Sequence, residues 1–440
     1  MTTENDIAAH EAHRDAGLTR GIGLFAFTFA IINAVVGGGI FSLPAAMAHA
    51  VGSQALIAYV VCAVATGAVV LCCAEAGSRV PTSGGMYGYA EAAFGPLAGF
   101  VGGVLYWIGA VLAAGGIAAA VGDSFSPYIP ALPKDVARDV VIVVVLLGVA
   151  VINSVGVKAA SRIIGLATAL KLIPLLLFVG VGLFYLDPVK LHATGAVEAG
   201  GVGPAFLLAM FAFQGMETPL GASGEVANPA RNLPRALFIS MIAITALYIG
   251  IQVVSQGLLG GGLAASTTPL ADAFARIDPR LGLLMLAAAA ISRTVWLGSD
   301  SLGAPRILFA FARDGFLPSV LGMVSPRGKA PVVAIFTHAA IAITLAITGT
   351  FEQLAILSSL ATVALYILAA AAAWKLARDK VALAGEPLNL KGLTIWVVIS
   401  IVAMAAMIAM GKPEEIGALV GTLVVLVAIY YLMKLVRRRA

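Results

Sequence analysis

The sequence predicts an all-α integral membrane protein of twelve transmembrane helices, on three observations: composition, the spacing of apolar runs and the sidedness of basic residues. Of 440 residues, 60% are hydrophobic and 11% charged, and the mean hydropathy is +1.01. A soluble domain carries about 25% charged residues, so this chain has too few to cover a water-facing surface. Its 49 glycines suit helices whose backbones approach closely in lipid. Cys62, Cys72 and Cys73 share one apolar segment, a poor basis for a disulfide framework.

Crossing about 30 Å of hydrocarbon takes about 20 apolar residues. Runs near that length occur at 22–48, 53–76, 96–121, 139–156, 162–186, 203–223, 235–259, 281–304, 331–349, 352–374, 392–410 and 415–434. The first exceeds a signal-peptide core and follows an acidic, His-bearing tail, so it is expected to be a span despite Ala48-His49-Ala50. The fourth is short. Nothing between the runs has the length or composition of a soluble domain.

With the N-terminus inside, nineteen Lys and Arg fall on the cytoplasmic side. Six fall outside: Lys134, Arg138, Lys190, Arg276, Arg280 and Lys412. This bias predicts cytoplasmic termini and explains the net charge of +5 by topology, with no nucleic-acid partner.

Two spans are interrupted. The first holds Val36-Gly37-Gly38-Gly39-Ile40-Phe41 and then Pro44; the sixth holds Phe213-Gln214-Gly215-Met216-Glu217-Thr218-Pro219. Each mid-helix glycine costs about 1 kcal/mol relative to alanine. Irregular backbone at membrane depth persists only where it is buried in protein or lines a polar cavity. Breaks at matching positions of two halves point to an inverted-repeat transporter with a midplane site, although three glycines alone would also serve a tight helix contact.

Further motifs are Pro81 to Tyr89 (PTSGGMYGY), Asn228 to Pro234 (NPARNLP), Ala304-Pro305-Arg306 and Ala312-Arg313-Asp314-Gly315. Taken in order with Gly37 to Pro44 and Phe213 to Glu217, they give the chain a resemblance to the amino acid–polyamine–organocation transporters. The resemblance runs from about Gly21 through the twelfth span. It implies a LeuT-type fold: spans 1–5 and 6–10 as a 5+5 inverted repeat with discontinuous helices 1 and 6, plus helices 11 and 12. The corresponding organisation is a cytoplasmic tail over 1–20, a transporter core over 21–390, and two outer helices with a basic terminus over 391–440.

The breaks suggest a binding site by physics alone. The second half of span 1 would present backbone N–H groups and a positive helix end around Val36, Gly37, Gly38, Gly39 and Ile40, suited to a carboxylate. Carbonyls freed near Phe213 and Gly215 suit an ammonium. An α-amino acid satisfies both; a polyamine satisfies only the second.

Four ionisable side chains lie deep in apolar runs: Lys171, Glu217, Arg293 and Asp300. Insertion costs of about 2.5–3.5 kcal/mol each make such residues functional candidates. Glu217 follows the break and matches the family's glutamate linked to proton sensing or gating; the alternative is a neutral acid bonded to backbone. Lys171 resembles the lysine that replaces sodium in proton-coupled relatives, with snorkelling as the alternative. Arg293 and Asp300 are seven apart, about 10 Å along one helix face. Asp300 aligns with a substrate-cavity position, where it would favour cationic side chains. It reads equally as a structural partner of Arg293, through a water, or of Lys171. By the resemblance Phe211 covers substrate and Tyr106 lies on the inner path.

His49, His192 and His338 have no metal-ligand spacing and no Walker A pattern occurs, so neither cofactor nor metal is expected. The expected activity is secondary transport of amino acids or related amines, including polyamines, by alternating access in the cytoplasmic membrane, with lipid around the chain. Proton-coupled symport is expected ahead of exchange without protons. A membrane-embedded enzyme or a channel is disfavoured, because the polar residues cluster at mid-membrane around two broken helices.

Overall fold

A computed structural model describes residues 20–81, 84–155, 171–191, 201–313, 315–325, 330–383 and 386–439. The amino-terminal tail, residues 162–170 of the fifth span and His192 lie outside the described residues.

The helices are α1 (Leu24–Val35), α2 (Leu43–Val51), α3 (Ala55–Arg79), α4 (Gly85–Phe94), α5 (Pro96–Phe125), α6 (Lys134–Val155), α7 (Lys171–Gly182), α8 (Val202–Phe213) and α9 (Glu217–Leu220). There follow α10 (Pro229–Leu259), α11 (Pro269–Ala275), α12 (Pro279–Gly303), α13 (Pro305–Arg313), α14 (Val332–Thr348), α15 (Phe351–Arg378), α16 (Leu393–Ala409) and α17 (Pro413–Arg439). Many begin where proline can occupy the first turn without losing a needed N–H, as at Pro96, Pro229, Pro279 and Pro413. Thr350 and Gln353 start α15 with a reciprocal capping box. Its other end is closed by Asp379, which accepts from Lys375 at 2.5 Å and Arg378 at 3.1 Å. Those bonds hold its carboxyl below the ordinary range.

Among the described residues six helical stretches are long and apolar enough to cross a membrane, and five shorter helices of 10–17 residues are also apolar. The stretches do not map one to one onto the sequence runs. Only a 3₁₀ turn at Gly52–Gln54 separates α2 from α3, so Leu43–Arg79 joins the end of the first run to the second. Hydropathy registers apolar composition and passes over such a turn. The apolar faces are solvent-facing in the manner of a lipid-exposed protein: Val424 and Leu432 on α17 and Ile395 and Val402 on α16 are each at least 60% exposed.

Two groups of packed helices surround the site. Each of α5, α6, α12 and α14 packs on the other three. In the second group α10 packs on α1 and α3, and α8 on α2 and α3. Helix α15 lies against α3, α5 and α8 and so touches both groups. A buried clamp holds the segment after α15 to the end of α3: Arg79 pairs with Glu75 at 2.7 Å and donates to Val381 O and Asn389 Oδ1, while Glu75 accepts from Leu390 N.

Candidate functional site

The chain leaves the helical path at Val36 because Gly37–Gly39 supply no side-chain packing to continue it. The last carbonyls of α1 then have no following turn to bond them. Three side chains from three helices take its place. Lys171 Nζ donates to Asn33 O at 2.5 Å, Trp296 Nε1 to Ala34 O at 3.2 Å and Tyr248 Oη to Val35 O at 2.9 Å. A lysine at a helix C-terminus also faces the negative end of the helix dipole. Lys171 is 1% exposed, so it is buried at the break and does not snorkel.

The second break follows Phe213. Gln214 is extended, and Gly215 has φ +119°, a conformation that a residue with a Cβ rarely adopts. The Gly215 N–H donates to both carboxylate oxygens of Glu217, at 2.9 and 3.0 Å, and Tyr366 Oη donates to Oε2 at 3.0 Å. Gln214 Nε2 donates to Ser358 Oγ at 2.9 Å, and that hydroxyl donates to Gly109 O at 2.8 Å. Glu217 thus closes the break it follows, as an acceptor at the start of α9.

The breaks touch. A Cβ on Gly215 would lie 2.8 Å from Ala34 O and 3.1 Å from Val35 Cα. Beside them is a cavity of about 420 Å³, within the size range of small-molecule pockets, about 300–1,000 Å³. Gly37, Gly39, Ile40, Tyr106, Lys171, Phe211, Gly215, Glu217 and Asp300 line it, together with Trp296 and Thr362. Tyr106 Oη lies 3.0 Å from Thr218 Oγ1 in the same wall.

Three other sequence candidates stand behind that wall. Val36 is buried, and Phe213 is buried against the rings of Tyr59 and Tyr248. Gly38 faces α12: a Cβ there would lie 2.6 Å from Arg293 Cγ and 2.9 Å from its Cα. At Gly38 the glycine serves close helix contact. At Gly37 and Gly39 the neighbours are the rings of Trp296 and Phe211, which are themselves cavity walls.

Arg293 and Asp300 do not pair. The Arg293 guanidinium donates to Ser42 Oγ at 2.7 Å and Ser124 Oγ at 2.8 Å, with longer bonds to Ala120 O and Gly38 O. Asp300 Oδ2 lies 2.9 Å from His338 Nε2, with the two side chains 8% and 3% exposed. Their separation along α12 directs them to different neighbours, and His338 arrives from α14, about 40 positions away in sequence. Sequence reasoning missed His338 and Trp296. Trp296 had a signal, lying three residues from Arg293 and four from Asp300 on one helix face; His338 had none beyond being polar in an apolar run.

The sequence profile described as "Amino acid permease" matches residues 22–433. Curated relatives agree with it. The chain is 27% identical to the branched-chain amino acid permease BcaP of Bacillus subtilis over 382 residues, 80% of each protein. It is 29% identical to the human large neutral amino acids transporter small subunit 2 over 338 residues, 72% of this chain and 62% of that protein. To the human Asc-type amino acid transporter 1 it is 30% identical over 342 residues, 74% of this chain and 65% of that protein. The aligned part thus spans somewhat less than two thirds of the human relatives' length.

Proposed function

This chain belongs to the amino acid permease family, and we propose that it carries neutral α-amino acids across the cytoplasmic membrane by alternating access, coupled to protons. It is a transporter and not an enzyme. The observation that carries the proposal is the contact of two interrupted helices beside a cavity of small-molecule size lined by both breaks. Backbone N–H groups entering α2 fit a carboxylate, and carbonyls around Gln214 fit an ammonium. Ile40, Leu43, Ala113, Ile117 and Phe211 in the same lining fit an apolar side chain. The relatives' names, branched-chain and large neutral amino acids, favour the same class.

In this reading the chain has twelve spans with both termini cytoplasmic, a 5+5 inverted repeat over 21–390 and two outer helices over 391–440. Lys171 serves as a protonated cation on the α1 terminus. Losing its proton would turn a charge-assisted bond to the Asn33 carbonyl into a weaker neutral one and loosen α1 from α7, which ties protonation to the helix that must move. Glu217 senses or gates through its bonds across the second break.

The test is uptake of labelled leucine into proteoliposomes. Saturable uptake that accumulates leucine when the lumen is alkaline relative to the bath supports proton-coupled transport. Counterflow without accumulation would leave exchange. Non-saturable, linear flux would overturn alternating access in favour of a channel.

A further inference from the structure

We infer that Asp300 and His338 act as one proton-binding unit in the cavity wall, and that a cationic substrate side chain and this proton compete for the Asp300 carboxylate. This rests on the reading of the cavity as an amino acid site. Asp300 lines the cavity and His338 stands directly behind it, at 2.9 Å. His338 Nδ1 is buried without a hydrogen-bond partner among the described residues, and the ring packs edge-on to Trp107. The two cations nearest in sequence logic are engaged elsewhere: Arg293 on Ser42 and Ser124, Lys171 on Asn33.

An ionised carboxylate taken from water needs a compensating charge or a proton. With one proton shared between Asp300 and His338 the pair is formally neutral, whichever residue holds it; without that proton it carries one negative charge. The proton belongs to the pair. In the protonated state the wall is neutral and suits an uncharged side chain. A guanidinium or ammonium that reaches Asp300 supplies the compensating charge itself, so its binding releases the proton to solvent, one for one.

Other ionisable groups surround the pair. Tyr106 of α5 is engaged with Thr218, Glu217 of α9 with Gly215 and Tyr366, and Lys171 of α7 with Asn33. On α6, Asn153 bonds Gly298 O of α12, while Arg138 pairs with Asp123 and Asp139 and bonds the carbonyls of Ala346 and Gly349, about two to three turns beyond His338. Helix α13 contributes Arg306 and Arg313, and α15 has Glu352 in its first turn. Titration of Lys171 or Glu217 acts on the amino acid backbone site shared by all substrates. The Asp300–His338 pair is the group that distinguishes side chains by charge.

The experiment is calorimetric binding of leucine and of arginine to the purified full chain in detergent, from about pH 5.5 to about pH 8.5. Arginine's guanidinium keeps its charge throughout this range. The expected result is that arginine affinity, relative to leucine, strengthens with pH. The slope should approach about tenfold per pH unit, with up to one proton released per arginine bound, while the pair holds its proton, and should flatten once that proton is lost. Asp300→Asn should abolish the relative slope, read as the ratio of arginine to leucine affinity at each pH. His338→Gln should retain the slope but move the pH range in which it appears, which tests the pair if the Asp300 variant does not fold. A relative slope surviving in Asp300→Asn, parallel pH profiles for the two ligands, or leucine binding with no arginine binding at any pH would overturn the pair's role alone. Absence of binding by both ligands would overturn the proposed function and this inference with it.

Discussion

The Lys171 ammonium lies 2.5 Å from the Asn33 carbonyl oxygen, the first of three side-chain bonds that replace the turn of helix denied to α1 by Gly37–Gly39. The bond joins a charge that can be switched by a proton to the end of a half-helix bordering the cavity.

Lys171→Met keeps the aliphatic stem and removes the charge. It is expected to leave the protein folded, because the lost charge-assisted bond, about 1.5–3 kcal/mol, is offset by no longer burying an ammonium. Proton-driven leucine accumulation should vanish while counterflow persists. Accumulation by the variant at the wild-type level would remove Lys171 from the coupling mechanism.

Gly38→Ala should act on stability rather than on the ligand. The added methyl meets Arg293 Cα, a backbone atom that cannot swing aside, whereas at Gly39 the obstacle is the Phe211 ring edge, 2.5 Å from the new Cβ. Overpacking of this kind costs about 1–3 kcal/mol. Thermal unfolding in detergent should therefore show a lower midpoint for Gly38→Ala, and leucine affinity should fall more for Gly39→Ala. The opposite ranking of affinities would place the carboxylate site at Gly38.

Glu217→Gln preserves an oxygen that can accept from the Gly215 N–H and from Tyr366 Oη, so the break should survive. Glu217→Ala leaves that N–H without its partner and should cost about 1–3 kcal/mol more. Tyr366→Phe removes a single bond, about 0.5–1.5 kcal/mol. If Glu217 titrates during transport, the Gln variant should flatten the pH profile of leucine counterflow. An unchanged profile with unchanged stability would confine Glu217 to capping.

Glu75 and Arg79 are 1% and 6% exposed and tie Val381, Asn389 and Leu390 to α3. Removing either partner leaves a buried charge, at a cost of about 3–5 kcal/mol. Arg79→Met should raise hydrogen exchange at the Leu390 amide and destabilise the protein. The double variant Glu75→Gln, Arg79→Met should recover part of the loss. Full stability in the single variant would show the clamp to be dispensable.

The membrane class, the family and the positions of both breaks were legible in the sequence. Apolar composition and consecutive glycines are local properties, and they act on whichever helix contains them. Lys171 and Glu217 stood out for the same reason, since a charge in an apolar run is visible without knowing its partner. The partners were not legible. Lys171 and Asn33 are 138 positions apart, Glu217 and Tyr366 149. The spacing of Arg293 and Asp300 invited a pairing along one helix face, but Arg293 has two serines within reach and Asp300 has a histidine. Periodicity says which residues share a face and says nothing of what the face meets.

What the sequence alone determined is an apolar, all-helical chain of the amino acid permease family, interrupted at Gly37–Gly39 and Gly215, with Lys171, Glu217, Arg293 and Asp300 inside apolar runs. Only the tertiary structure decided that Gly38 packs on Arg293 while Gly37 and Gly39 border the cavity, that Trp296 and Tyr248 help close α1, and that His338 stands behind Asp300. The reason is physical: backbone preference and hydropathy are fixed residue by residue, whereas a buried polar group must take its partner from whichever helix the packing brings within about 3 Å.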